Sequence, residues 1–444
     1  MNKMDHENST IAVLGLGYIG LPFTAALANV GYNVIGVDVN KERIDMLKRG
    51  EVPFYEPGMR ETLEINKGRV EYTYDYPSAI KRSDVLFVTV GTPLRNDETP
   101  DYSQIDSCMA EIGKSLKLEQ LVMLKSTVVV GTTENHVIPM LEKTSGLKAG
   151  KDFYLAFCPE RTIEGQAMHE IYNLPKIIGG INAESSARAE KIMKRLGSKV
   201  HIVSSPKVAE MCKLADNLYR ATNIAFANEV GLLCENLGIN AKEMVTAVNC
   251  SYNRTNIFSP GLGADGPCLS KDPFIFRHSA HQFGMRTPVA DGCIEQNKFA
   301  TYRIVDIVKD FMNKNKMQSI DLSVIGLAFK GFPETDDLRG SPAEKLINAL
   351  KKEKGLLNSV RVYDPLVRKF DDLRISESVY EAVEGSNVAL FLTNHPRIMN
   401  QRMDGLVERM KSPGLIVDAW GNIVGNKKYE SISYFRIGDG KNNI

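Results

Sequence analysis

The chain carries the sequence IAVLGLGYIG at residues 11–20, an apolar run that ends in a turn containing Gly15, Gly17 and Gly20. A second apolar run follows and ends at Asp38. Glycines at this spacing permit a tight turn, close approach of a pyrophosphate and close packing of a helix on a sheet, and the N-terminus of that helix favours phosphate. Asp38 would accept hydrogen bonds from an adenosine ribose and would repel a 2′-phosphate. The segment therefore predicts a strand–turn–helix–strand unit that binds NAD rather than NADP.

Outside this unit, apolar runs of strand length alternate with helical stretches in both halves of the chain. The predicted strands are Ile11–Leu14, Val34–Val37, Val85–Val90, Leu121–Lys125, Tyr154–Phe157, Lys176–Ile178, Leu322–Ile325, Val360–Tyr363, Val388–Leu392 and Leu415–Val417. This alternation is typical of parallel, doubly wound α/β sheets, which bind ligands at the carboxyl ends of their strands.

A helical pattern with few breakers separates the two α/β regions and runs from Lys207 to Leu237. It is longer than most helices of globular proteins, which indicates an element that bridges two domains. A chain of 444 residues is also too long for a single core. We therefore expect three domains, at residues 1–205, 206–310 and 318–444.

The composition excludes several classes of partner. Lys and Arg number 55 against 54 Asp and Glu, so no overall field recruits nucleic acid or an acidic membrane. The longest apolar runs are too short to span a bilayer, and residues 1–10 resemble neither a signal nor a transit peptide. Seven cysteines without a CxxC pair argue against a disulfide framework. We expect a cytoplasmic protein.

Two side chains on the long helix, Lys213 and Asn217, form the first candidate site. Their spacing of four residues places them on one helix face, and Arg220 and Asn223 extend the same polar stripe. A polar stripe that is buried needs a polar partner. The alternative is a solvated lysine beside an unrelated asparagine.

A glycine-rich stretch between Pro260 and Pro273 contains Cys268, Lys271 and Asp272. A cysteine in a loop near a lysine can ionise and act as a nucleophile. The alternative is a structural turn with a buried thiol.

A third candidate is the sequence Phe157-Cys158-Pro159-Glu160-Arg161 at the end of a predicted strand. Ligands bind at such strand ends, although Glu160 and Arg161 could equally form a surface pair, and Cys158 is expected to pack. His278 and His281 can share a helix face, but no third ligand accompanies them and we assign no metal.

In their order along the chain, these motifs resemble the UDP-glucose/GDP-mannose dehydrogenase family over nearly the whole sequence. The matching segments are Gly15–Gly20, Ser126-Thr127, Pro159-Glu160, Glu210–Asn217, Gly263–Asp272, Phe329-Lys330 and Asp336–Arg339. The resemblance implies a Rossmann-like NAD domain, a central long-helix dimerisation region and a Rossmann-like C-terminal domain that binds the nucleotide sugar. It also implies two successive hydride transfers to NAD through a cysteine-linked intermediate, and a homodimer or higher homo-oligomer.

The resemblance assigns roles position by position, with Cys268 as the nucleophile. The implied groups around the reacting carbon and water are Lys213, Asn217, Asp272, Glu160 and Thr127. The implied NAD contacts are Gly15, Gly17, Tyr18, Ile19, Gly20, Asp38, Arg43, Thr92 and Thr127. The implied substrate contacts are Glu160, Arg161, Lys213, Asn217, Arg220, Arg254, Gly263, Lys330 and Arg339, with Arg254 serving a neighbouring subunit's site.

The sequence Cys158-Pro159-Glu160-Arg161 is similar to the branch of the family that oxidises UDP-N-acetylmannosamine or UDP-N-acetylglucosamine, whereas enzymes acting on UDP-glucose usually carry Asn-Pro-Glu-Phe there. Three positions depart from the family pattern. Asp265 stands in place of a glycine, Tyr252 in place of a frequent histidine, and residues 419–422 lack the usual arginine.

The function predicted from the sequence is NAD-dependent, four-electron oxidation of the C6 hydroxyl of a UDP-N-acetylhexosamine, with UDP-N-acetyl-D-mannosamine preferred. UDP-glucose remains an alternative substrate. A β-hydroxyacid-type dehydrogenase would transfer one hydride and have no use for Cys268, and a non-catalytic NAD-binding regulator would transfer none.

Overall fold

The computed structural model describes residues 9–197, 199–425 and 429–442. Most of the polar N-terminal segment therefore lies outside the described residues. The chain folds into two compact units, one formed by Met1–Asp216 with Phe274–Arg286 and the other by Asn217–Pro273 with Thr287–Ile444. The division into three domains stays a prediction.

An eight-stranded sheet with the order β3-β2-β1-β4-β5-β6-β7-β8 forms the centre of the first unit. Its strands are β1 (Thr10–Leu14), β2 (Asn33–Val37), β3 (Val70–Thr73), β4 (Val85–Val88), β5 (Leu121–Leu124), β6 (Tyr154–Phe157), β7 (Lys176–Gly180) and β8 (Val200–Val203). The neighbours pair in parallel except β6 and β7, which are antiparallel. That pair departs from the parallel arrangement expected from the alternating pattern.

The helices of the first unit lie between these strands and cover the sheet. They are α1 (Gly20–Asn29), α2 (Lys41–Lys48), α3 (Met59–Ile65), α4 (Tyr76–Arg82), α5 (Ser103–Ser115), α6 (Ile138–Ser145), α7 (Ala167–Asn173) and α8 (Ala183–Lys194). Alternate residues of β1 enter different cores, since Ile11 and Val13 join one cluster while Ala12 and Leu14 join another. A strand buried on both faces must be apolar at every position, which explains the continuous apolar runs.

Long helices occupy the middle of the chain. The elements are α9 (Pro206–Leu237), α10 (Ala241–Asn249), α11 (Gly266–Leu269), α12 (Asp272–His281) and α13 (Pro288–Lys314). The predicted long helix is confirmed as α9, of which residues up to Asp216 belong to the first unit and the rest to the second.

The second unit contains a parallel five-stranded sheet with the order β10-β9-β11-β13-β15 and a short two-stranded sheet. The strands are β9 (Ile320–Ile325), β10 (Leu357–Tyr363), β11 (Val388–Phe391), β12 (Gln401–Arg402), β13 (Gly414–Asp418), β14 (Ile423–Val424) and β15 (Ile432–Arg436), and the helices are α14 (Pro342–Lys352), α15 (Val379–Val383) and α16 (Met403–Val407). In both large sheets the strand order reverses beside the first strand, β1 or β9, which places a ligand-binding crevice at the carboxyl ends there.

Within the part of the chain that the structure describes, no helix is both long enough and apolar enough to cross a membrane.

Candidate active site

The turn after β1 has the geometry of a phosphate cradle. Gly15 has a φ of +99°, and a Cβ on Gly20 would lie 1.8 Å from the Gly15 carbonyl oxygen, so both positions need glycine. A Cβ on Gly17 would have no atom of residues 9–197, 199–425 or 429–442 within 4 Å. Internal packing therefore does not require Gly17, whereas a pyrophosphate approaching the backbone would. The turn fits a dinucleotide.

Asp38 fixes this turn from the end of β2. Its Oδ2 accepts hydrogen bonds from the Leu16 amide at 2.8 Å and from Arg43 Nη1 at 2.9 Å, and its Oδ1 accepts one from the Asn40 amide at 2.8 Å. The residue is only 5% exposed. A carboxylate is thus anchored where the ribose of a dinucleotide binds in this architecture.

The other predicted NAD contacts surround the same strand ends. The Tyr18 ring stacks on Phe54 with centroids 4.1 Å apart, and Ile19 lies at the start of α1. Thr92 Oγ1 donates a 2.7 Å hydrogen bond to the Thr127 carbonyl, which joins the segments that follow β4 and β5.

Glu160 is the centre of a buried charge cluster at the end of β6. Its Oε2 lies 3.1 Å from Lys125 Nζ, and its Oε1 accepts hydrogen bonds from the Arg161 and Thr162 amides at 2.8 and 3.0 Å. Burial alone would raise the pKa of Glu160, but the charges of Lys125 and Lys176 and the amide donors lower it to about 2. The alternative of a surface pair with Arg161 is therefore wrong.

Lys125 and Lys176 were absent from the predicted site. Burial lowers the pKa of Lys176, and the side chain of Lys125 is 1% exposed. Lys125 directly precedes the Ser126-Thr127 motif, and this position was the signal that could have identified it. The prediction that Cys158 packs is confirmed, since its side chain lies in the core beside Lys125.

Arg161 extends toward α9, where its Nε lies 3.7 Å from Asp216 Oδ2. That Nε is buried, and none of the residues that the structure describes accepts a hydrogen bond from it. A buried donor without an acceptor is costly, so this guanidinium is suited to a polar ligand group.

Lys213 and Asn217 lie one turn apart on α9 and are 8% and 1% exposed. The alternative of a solvated lysine is therefore wrong. Among the residues that the structure describes, none forms an ion pair with Lys213. Its charge remains available to an anionic ligand, whereas Asn217 has a partner in the second unit.

Within the second unit, Asn217 contacts the glycine-rich stretch that carries Cys268. Asn217 Nδ2 donates a 2.5 Å hydrogen bond to Asp272 Oδ2, and Lys271 Nζ lies 2.7 Å from Asp272 Oδ1. Asp272 is fully buried and begins α12, while Cys268 is half-buried in α11. The ammonium of Lys271 is thus directed to Asp272, in the loop that carries the thiol.

Asp265 does not disturb this loop. Its φ of −94° and ψ of −178° are accessible to any residue, so no glycine is needed there. Its Oδ1 pairs with Lys345 Nζ at 2.5 Å. Gly263, in contrast, has a φ of +102° and lies against the carbonyl of Asn297, where a Cβ would be 2.6 Å from the oxygen.

The remaining predicted substrate contacts lie in the second unit as well. Lys330 Nζ donates to the Pro333 carbonyl at 2.6 Å, and Arg339 forms a fork with the buried Asp337, at 2.6 Å from Nη2 to Oδ2. Arg220 is half-buried, and the exposed Arg254 lies 4.8 Å from the Tyr252 ring.

A second anchored turn follows β9 and was not predicted. Gly326 has a φ of +90°, and Asp364 Oδ2 accepts hydrogen bonds from the Leu327 and Ala328 amides at 2.7 and 3.2 Å. The turn leads into Phe329 and Lys330. This arrangement matches that of Gly15 and Asp38, although only one glycine marks it in the sequence.

Three consecutive parts of the chain match the domains of one enzyme family. Residues 9–197 match the NAD binding domain of the UDP-glucose/GDP-mannose dehydrogenase family, residues 207–299 its central domain, and residues 323–426 its UDP binding domain. The chain belongs to this family. It is therefore an NAD-dependent nucleotide-sugar dehydrogenase, which is an oxidoreductase. The phosphate cradle after β1 fits this cofactor.

Individual relatives agree with this membership. A UDP-N-acetyl-D-mannosamine dehydrogenase of Pyrococcus horikoshii is 33% identical over 92% of this chain and 94% of its own length. A solved structure of the UDP-D-ManNAc dehydrogenase from P. horikoshii covers 97% of this chain and 99% of its own, with a TM-score of 0.87 and 30% identity. A UDP-glucose dehydrogenase from Pyrobaculum islandicum covers 99% of both chains, with a TM-score of 0.84 and 25% identity.

Replacing Lys125 should expose the energetic cost of the buried Glu160 carboxylate. We expect Lys125→Met to lower the free energy of unfolding by about 3–5 kcal/mol, because a buried charge loses its partner. The exposed pair Lys67–Glu64 offers a matched control, and Lys67→Met should leave the free energy of unfolding nearly unchanged. Urea denaturation at neutral pH measures both, and equal losses would contradict the account.

The same pair sets a direction for acid sensitivity. The pKa of Glu160 is lower in the folded protein than its ordinary value of 4.5. Its contribution to the stability of the fold is therefore complete above pH 4.5 and is lost as the pH falls toward about 2.

Proposed function

We propose that the chain oxidises the C6 hydroxyl of a UDP-N-acetylhexosamine to the carboxylate, in two steps at one site. The buried contact of Asn217 with Asp272, in the loop that carries Cys268, is the observation that supports it most. A buried carboxylate and a buried amide that contact each other, in a loop that also carries a thiol, supply the groups that a covalent oxidation needs. The anchored turn before Lys330 supports the binding of a nucleotide diphosphate.

In the first step the C6 hydroxyl loses its proton to a base or to a base-activated water, and C6 loses a hydride. NAD supplies the hydride acceptor when it is bound. Lys213 and Asn217 stabilise the negative charge that develops on the C6 oxygen.

In the second step the Cys268 thiolate adds to the aldehyde carbon and forms a thiohemiacetal. The thiohemiacetal then loses its hydroxyl proton to water and a second hydride, for which a second NAD would be the acceptor, and the resulting thioester is hydrolysed by water to the carboxylate and the free thiol. Covalent capture keeps the aldehyde from leaving. Because the pKa of Glu160 is about 2, this carboxylate is a weak base, and we assign it the orientation of the water rather than its deprotonation.

The N-acetyl substituent is proposed from Arg161 and from the relatives. The buried Nε of Arg161 lacks an acceptor among the described residues, and the acetamido oxygen of the sugar would supply one. The P. horikoshii relative is named for UDP-N-acetyl-D-mannosamine, which favours the manno epimer. The similar UDP-glucose dehydrogenase of P. islandicum keeps UDP-glucose as the second candidate.

We also propose a homodimer in which α9 contributes to the interface. Tyr219, Phe226 and Leu233 recur every seven residues and are 62%, 51% and 59% exposed. Large apolar side chains aligned on one face of a helix are typical of an association surface.

The covalent mechanism predicts that Cys268→Ser abolishes complete oxidation, because an oxygen ester hydrolyses far less readily than a thioester. Carboxylate production should fall on the order of a hundredfold or more, and mass spectrometry should detect a sugar adduct on the protein. Cys250 is exposed at the end of α10, so Cys250→Ser is the control and should retain activity. Carboxylate formation by Cys268→Ser at the control's rate would refute the mechanism.

The substrate assignment predicts that kcat/KM for UDP-N-acetylmannosamine exceeds that for UDP-glucose by roughly a hundredfold, on the order of 3 kcal/mol. A site with a donor for the acetamido group leaves that donor unpaired when the group is missing. Arg161→Ala should therefore reduce the preference more than it lowers the rate with UDP-glucose. Arg82→Ala changes only a surface pair with Glu71 and should leave the ratio unchanged.

Steady-state assays with UDP-N-acetylmannosamine, UDP-N-acetylglucosamine and UDP-glucose measure these ratios. Equal efficiency of the wild type with UDP-glucose would refute the assignment of the sugar, while the dehydrogenase family would stand.

A further inference from the structure

The turn that leads into α11 is closely fitted against the C-terminal part of the second unit. The Gly266 amide donates a 3.2 Å hydrogen bond to the Gly340 carbonyl. A Cβ on Gly266 would lie 2.4 Å from Cδ2 of Phe329, so the Phe329 ring packs directly against the backbone of the turn. Ser270 Oγ donates back to the Gly266 carbonyl at 2.5 Å and closes the turn around Cys268.

Asp265 adds an ionic contact to this backbone contact. Its side chain is 7% exposed and lies 2.5 Å from Lys345 Nζ, on α14, whose side chain is 30% exposed. The pair joins residues that are 80 positions apart in the sequence. Burial raises the pKa of Asp265, which reflects the cost of placing this carboxylate away from water, and Lys345 opposes that shift.

The segment contacted by this turn carries two of the predicted substrate cations, Lys330 and Arg339. Phe329 directly precedes Lys330, and Gly340 directly follows Arg339. The thiol-bearing turn and the segment 329–340 are therefore packed together, and α14 begins directly after that segment. A substrate held by these cations would have its distance from Cys268 set by the same contacts.

We propose that the Asp265–Lys345 ion pair is a positioning element that holds Cys268 in register with the substrate-binding segment 329–340. The inference rests on the proposed function only for the role of the thiol. Neither member of the pair acts on the substrate, and both act through the backbone of the turn. Small displacements of reacting groups lower the rate of the chemical step strongly, while substrate affinity need not change.

The test uses the full-length enzyme with Lys345→Met, Asp265→Asn and the double variant. We expect each single variant to lower kcat with UDP-N-acetylmannosamine about tenfold or more and to change KM by no more than about twofold. The double variant should lose no more than either single one, because both remove the same contact. Lys345→Arg keeps a cation and should restore most of kcat. Lys351→Met, on the exposed face of α14, is the matched control and should behave as the wild type.

A second readout does not depend on the substrate. The rate at which iodoacetamide alkylates Cys268, followed by mass spectrometry, should rise at least about threefold in Lys345→Met and stay unchanged in Lys351→Met, because a released turn exposes the thiol more often. If Lys345→Met does not fold, the same two measurements on Asp265→Asn test the proposal, because asparagine keeps the shape of the aspartate side chain.

Three results would overturn the proposal: kcat and alkylation in Lys345→Met equal to those in Lys351→Met, a loss confined to KM, or single losses that multiply in the double variant. If the wild type oxidises no UDP-sugar, the proposed function fails. The alkylation rates would still decide whether the pair holds the turn.

Discussion

In both units a buried carboxylate at the end of the second strand accepts hydrogen bonds from the backbone of the turn after the first strand. Asp38 holds the Leu16 amide, and Asp364 holds the Leu327 and Ala328 amides. Each turn begins with a glycine at positive φ, and its amide donates to the last residue of the neighbouring strand, Val37 or Tyr363. In each unit this contact fixes the turn at the carboxyl edge of the sheet, where ligands bind in this architecture.

Buried carboxylates that pair with lysines are the second recurring feature, and each lies in a segment with a proposed role. Lys125 accompanies Glu160, Lys271 accompanies Asp272, and Lys345 accompanies Asp265. Burying a charge away from water is expensive, and a buried ion pair therefore contributes little net stability. Because these pairs lie in the proposed catalytic loop or at a strand end, we infer that they fix geometry rather than hold the fold together.

Much of the fold could be predicted because its central strands are buried on both faces. Runs such as Val85–Val88 and Val388–Phe391 are apolar at every position, whereas β3 and β8 lie at sheet edges, are partly exposed and were missed. The turn at Gly15 was recognisable from its three glycines. The equivalent turn at Gly326 was not, because only one glycine marks it, and only the fold shows that Asp364 accepts hydrogen bonds from its amides. The partner of Asp265 was unpredictable for the same reason, since only the fold brings Lys345 to it.

The central claim is that one site removes two hydrides in succession from the same carbon. The most direct measurement is the amount of NADH formed for each sugar carboxylate released, followed by absorbance and by quantitative analysis of the product. The account predicts about two NADH per sugar, since alcohol and thiohemiacetal are each oxidised once. A value of about one would indicate a single hydride transfer of the β-hydroxyacid type, and no NADH at all would indicate a binding protein without this chemistry. Either result would contradict the account.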